Sequence, residues 1–129
     1  SILGDATLRE VIIAEGCRIG RATIEQSVVG IRSIVGDGAH LKRVVLMGAD
    51  YYELSQGGAV PAPKGAPPIG IGPDAVIENA IVDKNARIGA GAIIKNEAGV
   101  QEAEADGYVI HDGVVVIPKD AVIPPGTRI

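Results

Sequence analysis

The chain is predicted to be all-β and wound as a parallel β-helix, a solenoid of hexapeptide repeats. Three observations carry that expectation. Aliphatic residues recur every six positions with another small side chain four positions on, which is neither the 3.6-residue period of a helix nor the plain alternation of a sheet. The 129 residues include 18 Ile and 15 Val against 5 Leu, and such β-branched side chains favour pleated backbone over helix. Phe and Trp are absent and the aromatics are three tyrosines, so the core must be aliphatic and thin.

The rungs follow in order. Ile13-Ala14-Glu15-Gly16-Cys17-Arg18 leads into Ile19-Gly20, and Val35-Gly36-Asp37-Gly38-Ala39-His40 leads to Leu41 and then, six positions on, to Met47. Ile71, Ile77, Val82, Ile88 and Ile94 continue the pattern, with Ala75, Ile81, Ala86 and Ala92 at the fourth offsets. Ile117, Ile123 and Ile129 close the chain with Ala121 and Thr127. The step from Ile77 to Val82 is one residue short, the mark of an adjusted corner. In each unit the aliphatic residue stacks inward on its counterpart one coil away, and the small residue lets the chain turn. A lone coil cannot bury its own face, so stability is a sum over neighbouring coils. Gly20, Gly36 and Gly89 fall where a Cβ would collide with the next coil.

Two segments interrupt the repeat and are expected to be extruded from the coils. Residues 48–68 hold four prolines, four glycines, Tyr51 and Tyr52, a loop composition. Residues 96–113 carry Glu97, Glu102, Glu104 and Asp106 with no Lys or Arg, and Val100-Gln101-Glu102-Ala103-Glu104-Ala105 suggests a helical turn or two. Interruptions at repeat corners are where solenoids place contacts with partners. One domain, residues 1–129, is all that this length supports.

Composition also narrows function. A net charge of −4 and a pI near 5.1 leave no clustered basic face for nucleic acid. No apolar stretch approaches the roughly 20 residues of a membrane span, no signal peptide opens the chain, and the single cysteine, Cys17, cannot form an internal disulfide; the expectation is an intracellular soluble protein. Cys17 falls in the small inward slot, where burial makes a thiol inert. Two histidines, His40 at an outward position and His111 in the second interruption, match no zinc-ligand spacing with Cys17. No Gly-rich phosphate loop, dinucleotide fingerprint or His-Glu-x-x-His sequence occurs. The cations of interest are Lys84 and Arg87 in Asp83-Lys84-Asn85-Ala86-Arg87, and Lys119 in Pro118-Lys119-Asp120, all at coil corners.

Several strings carry a resemblance: Val28-Val29-Gly30-Ile31-Arg32-Ser33, Met47-Gly48-Ala49-Asp50-Tyr51-Tyr52-Glu53, Pro68-Ile69-Gly70-Ile71-Gly72, Asp83-Lys84-Asn85-Ala86-Arg87-Ile88-Gly89, Gly99-Val100-Gln101-Glu102-Ala103 and Lys119-Asp120-Ala121-Val122-Ile123-Pro124. The chain resembles the C-terminal β-helix of the ADP-glucose pyrophosphorylase (glucose-1-phosphate adenylyltransferase) family, of cyanobacterial and plant type, along essentially its whole length. That resemblance implies a left-handed coil. It implies an enzyme that makes ADP-glucose and pyrophosphate from ATP and glucose 1-phosphate, for glycogen or starch synthesis. Catalysis, with ATP and Mg²⁺, would lie in an N-terminal nucleotidyltransferase domain absent from this chain, so the segment itself holds no catalytic residue, metal or cofactor. The solenoid would pack on that domain, help to assemble a homo- or heterotetramer, and bind the effectors 3-phosphoglycerate and phosphate through Lys84 and Lys119, with Arg87 beside them and Asp83 orienting the neighbouring cation. The implied location is bacterial cytoplasm or plastid stroma. The chain departs from the family at His111-Asp112-Gly113, where a base and Ser are common, and at Pro118 and Pro125.

Two other readings stand beside it: a trimeric solenoid acyltransferase with His40 or His111 as base and acyl-CoA in a groove between subunits, and a structural module that only pairs subunits.

Overall fold

The computed structural model describes residues 1–129. The opening coils hold β1 (Ile2–Leu3), β2 (Thr7–Ile13), β3 (Arg18–Ile19), β4 (Thr23–Val29), β5 (Ile34–Val35) and β6 (His40–Leu46). After the first interruption come β7 (Gly70–Ile71), β8 (Val76–Val82), β9 (Arg87–Ile88) and β10 (Ile93–Ile94), then β11 (Glu102–Ala105), β12 (Tyr108–His111), β13 (Val114–Ile117) and β14 (Val122–Ile123). Two-residue rungs stack in parallel in the order β1-β3-β5-β7-β9-β14. The longer strands stack as β2-β4-β6-β8-β13, with β10 also paired to β8.

One strand can pair with both β10 and β13 because each seven-residue strand wraps a corner. Its middle residue, Glu10, Gln26, Arg43 or Asn79, has φ of 56°, 49°, 53° or 51°, a left-handed conformation that turns the chain in a single step. The corner below Arg43 is satisfied internally: the buried Ser27 hydroxyl donates to Glu25 O at 2.7 Å and accepts from the Val44 N–H at 3.0 Å. The two arms and the two-residue rungs make three faces, each with its inward column. Ile24, Leu41, Ile77 and Ile94 form one, Val29, Leu46, Val82 and Ile117 the second, and Ile19, Val35, Ile71, Ile88 and Ile123 the third, all buried and in register. Ala22, Ala39, Ala75 and Ala92 fill one inner corner.

The strict six-residue count therefore fails at the left-handed corners, where the step is five. Leu46, 3 % exposed, points inward, and Met47, 42 % exposed, does not; likewise buried Ala80, not Ile81, is the small inward residue of its unit. The short step noted at Ile77–Val82 recurs at Ile24–Val29 and Leu41–Leu46. Cys17 is buried in its corner, its thiol directed at the carbonyls of Ala14 and Gly30 at 3.2 and 3.1 Å.

Neither interruption is simply extruded. Residues 48–68 fold back over the β3-β5-β7-β9 face through a 3₁₀ turn at Leu54–Gln56, whose Glu53 and Gln56 side chains form a capping box. Residues 102–111 contain no helical turn: β11 and β12 form an antiparallel hairpin, and β12 pairs with β13, so the sheet continues beyond the last coil. Glu102-Ala103-Glu104-Ala105 alternates with period two, and Asp106-Gly107 and Asp112-Gly113 are two-residue hairpin connections. Asp112 and Gly113, at φ 50° and 79°, supply the two left-handed residues of a type I′ turn.

Two outer faces differ sharply. On one arm Ile12, Val28, Val45, Ile81, Val116 and Val109 lie in register across six strands, all but half-buried Val116 exposed. On the other, Arg9, Glu25, Lys42 and Glu78 alternate in sign rung by rung, and Lys95 Nζ lies 3.4 Å from Glu78.

Candidate functional site

Three consecutive coils turn the same corner at residues 48–50, 83–85 and 118–120. The stacking is fixed by backbone: the Met47 N–H donates to Val82 O, Asn85 N–H to Gly48 O, Asp83 N–H to Ile117 O and Asp120 N–H to Lys84 O, at 2.9–3.1 Å. Lys84 and Lys119, 35 positions apart in the chain, thereby become neighbours. Asn85 and Asp120, with φ of 62° and 63°, turn the backbone directly after each lysine.

Both ammonium groups converge on one carboxylate. Lys84 Nζ is 3.2 Å from Asp50 Oδ1 and Lys119 Nζ is 3.7 Å from Asp50 Oδ2. Asn85 fixes that carboxylate twice, donating from Nδ2 to Oδ2 at 3.0 Å and accepting from the Asp50 N–H at 2.9 Å. Hydrogen bonds from Asn85 and then Lys84, with the charges of both lysines, hold the Asp50 carboxyl below its ordinary value of 3.8. Asp83 does not touch either ammonium group. Its Oδ1 accepts from the Lys84 N–H at 2.6 Å, so it shapes the turn that presents Lys84.

Arg87 leaves the same turn on the other side. Its guanidinium lies beneath the folded-back loop, 2.9 Å from Glu53 Oε2 and 3.0 Å from Oε1, and also donates to Pro67 O at 3.0 Å. Side-chain exposure is 8 % for Arg87 and 0 % for Glu53. Glu53 Oε1 accepts from the Ile69 N–H at 2.8 Å, while Oε2 has no hydrogen-bond partner beyond this ion pair. Arg87 is thus a buried tie between loop and coil, not an exposed corner cation. The loop is tied again where the Arg18 guanidinium lies 4.4 Å over the Tyr52 ring and donates to Gln56 O, and where the Tyr52 hydroxyl donates to Gly16 O.

The remaining candidates stay apart from this corner. His40 is exposed on the charge-alternating face, in register with Thr23 and Val76. His111 Nδ1 is 3.1 Å from Glu102, whose carboxyl is lowered by the Asp112 N–H and then by His111 itself. No group of three His, Cys, Asp or Glu residues could hold a metal ion. What the corner offers is anion chemistry: two lysines with six donor hydrogens facing one internal acid. Asp50, Asn85 and Glu53 were not singled out by sequence. Asp50 and Glu53 lie within the Met47–Glu53 string, but their partners emerge only once the 35-residue register is known.

These features define a class: a hexapeptide solenoid with a folded-back loop and a stacked-lysine corner. Over residues 1–128 the chain matches the GLGC left-handed parallel β-helix domain. It belongs to that family. Over 127 residues it is 49 % identical to the small subunit of glucose-1-phosphate adenylyltransferase, chloroplastic/amyloplastic, from Triticum aestivum, an alignment covering 97 % of this chain and 27 % of that protein. The chain therefore spans about a quarter of that relative's length.

Proposed function

We propose that this solenoid is the regulatory and assembly portion of a glucose-1-phosphate adenylyltransferase, which joins ATP and glucose 1-phosphate into ADP-glucose with release of pyrophosphate. The observation that carries the regulatory half is the convergence of Lys84 and Lys119 on one corner, 3.2 and 3.7 Å from the same carboxylate. A phosphorylated carboxylate such as 3-phosphoglycerate, or phosphate itself, suits such a pair through charge-assisted hydrogen bonds. Arg87 and Asp83 serve as framework, the first tying down the loop and the second shaping the Lys84 turn. ATP and Mg²⁺ belong to a separate nucleotidyltransferase domain on which the solenoid packs. The chloroplastic/amyloplastic wheat relative supports a plastid setting, and no helix here is long and apolar enough to cross a membrane.

Assembly is the second half of the reading. The ladder from Ile12 to Val109 is an apolar stripe across six strands, and contiguous exposed stripes of this kind suit subunit contacts. In the assembled enzyme, Lys84→Gln or Lys119→Gln is expected to raise the 3-phosphoglycerate concentration for half-activation roughly 10- to 100-fold. A pyrophosphate-release assay across effector concentrations checks this, and unchanged activation in both variants would reject the roles given to the lysines.

A further inference from the structure

We propose that Asp50 is a resident competitor at the lysine corner, a specificity-determining residue that keeps weakly charged anions off Lys84 and Lys119 and admits those carrying more than one negative charge. The inference rests on reading that corner as an anion site. Its basis is the geometry around Asp50. The carboxylate already occupies the space between the two ammonium groups, at 3.2 and 3.7 Å, as a bound anion would. Its backbone is not free to drift away, because the Asp50 N–H is fixed on Asn85 and, three residues on, Glu53 is buried against Arg87. Only the side chain can swing out, and it is partly exposed on the surface.

A ligand entering the corner must therefore replace a tethered carboxylate. Tethering gives Asp50 a high effective concentration at the lysines. Acetate, chloride or formate brings no more charge than Asp50 and must be recruited from solution, so it loses. A phosphate dianion or a phosphorylated carboxylate brings additional charge and acceptor oxygens, and can prevail. The same competition keeps the affinity of the site moderate, so that occupancy follows effector concentration.

The test uses the full-length enzyme subunit that carries this domain, with Asp50→Asn, which removes the charge while retaining an acceptor for the Asn85 amide. Binding of inorganic phosphate is measured by titration calorimetry, with acetate as competitor. Freeing two partly exposed ion pairs is expected to tighten phosphate binding roughly 2- to 30-fold, and acetate, inert against the wild type, should now compete. In a Lys84→Gln background the gain from Asp50→Asn should fall to less than half, since the two residues act on each other. Equal gains in both backgrounds would mean a general charge effect and would overturn the proposal, as would unchanged or weaker phosphate binding in Asp50→Asn. Phosphate affinity indifferent to Lys84→Gln and Lys119→Gln would remove the anion site, and the proposal with it. Dependence on the lysines together with unaltered affinity and selectivity in Asp50→Asn would remove the competitor role alone.

Discussion

Lys84 and Arg87 lie three positions apart in one turn, yet one ammonium group faces solvent and the other cation is sealed beneath a loop. A charge buried with one partner is costly to uncover, because the surviving ion has neither water nor counter-charge. Arg87→Met is accordingly expected to destabilise the fold by about 3–5 kcal/mol, whereas Arg87→Met combined with Glu53→Leu should recover most of that loss; urea denaturation of the two variants decides it. Asp50 contributes through its depressed pKa, caused by Asn85 and Lys84. The folded carboxyl ionises below 3.8 and the unfolded one near it, so the stabilisation is complete above pH 3.8 and is lost as pH falls through the folded value. Melting temperatures followed from pH 5 to pH 2 should therefore fall less steeply for Asp50→Asn than for the wild type. Parallel curves would show that the carboxyl is unlinked to folding.

At the scale of the element, the corner is the unit that matters. Single left-handed residues shorten the step to five, and close stacking of coils then limits what can stand beside the turns. A Cβ on Gly89 would lie 2.3 Å from Pro125 N and 2.7 Å from its Cα, all backbone or ring of the next coil. Gly91, at φ 68°, has open space around it. Gly89→Ala is expected to cost about 1–3 kcal/mol by forcing coils apart, and Gly91→Asn under about 0.5 kcal/mol, since Asn tolerates left-handed backbone. Chemical denaturation midpoints compare them, and a larger loss at Gly91 would contradict this account of the corners. At the β11–β12 hairpin local signals compete: Glu and Ala have helical propensity, yet alternation and the Asp-Gly pairs select two strands, β11 pairing with β12 and β12 with β13.

Over the whole molecule, the two arms divide their labour. The alternating charges of Arg9, Glu25, Lys42 and Glu78 suit water, while the ladder through Val28, Val45 and Ile81 leaves branched hydrocarbon uncovered. Because Val45 points outward, Val45→Lys should fold normally by circular dichroism but weaken subunit association at least tenfold, since an unpaired charge in an apolar contact is strongly disfavoured. Light scattering over a dilution series of the full-length protein measures this. An unaltered mass at every concentration would assign assembly to another surface.

The residues by themselves determined the coiled architecture, most of the inward aliphatic columns and the buried place of Cys17, because period and side-chain shape are local properties that every rung repeats; Lys84 and Lys119 stood out only through the family resemblance. Only the tertiary structure decided that the first interruption lies against the coils, that Arg87 is buried on Glu53, and that Asp50 stands between Lys84 and Lys119. Those outcomes depend on register across inserted segments of 18 and 19 residues beyond a 17-residue coil. Stacking converts such long separations into single contacts, and no local pattern in the chain specifies them.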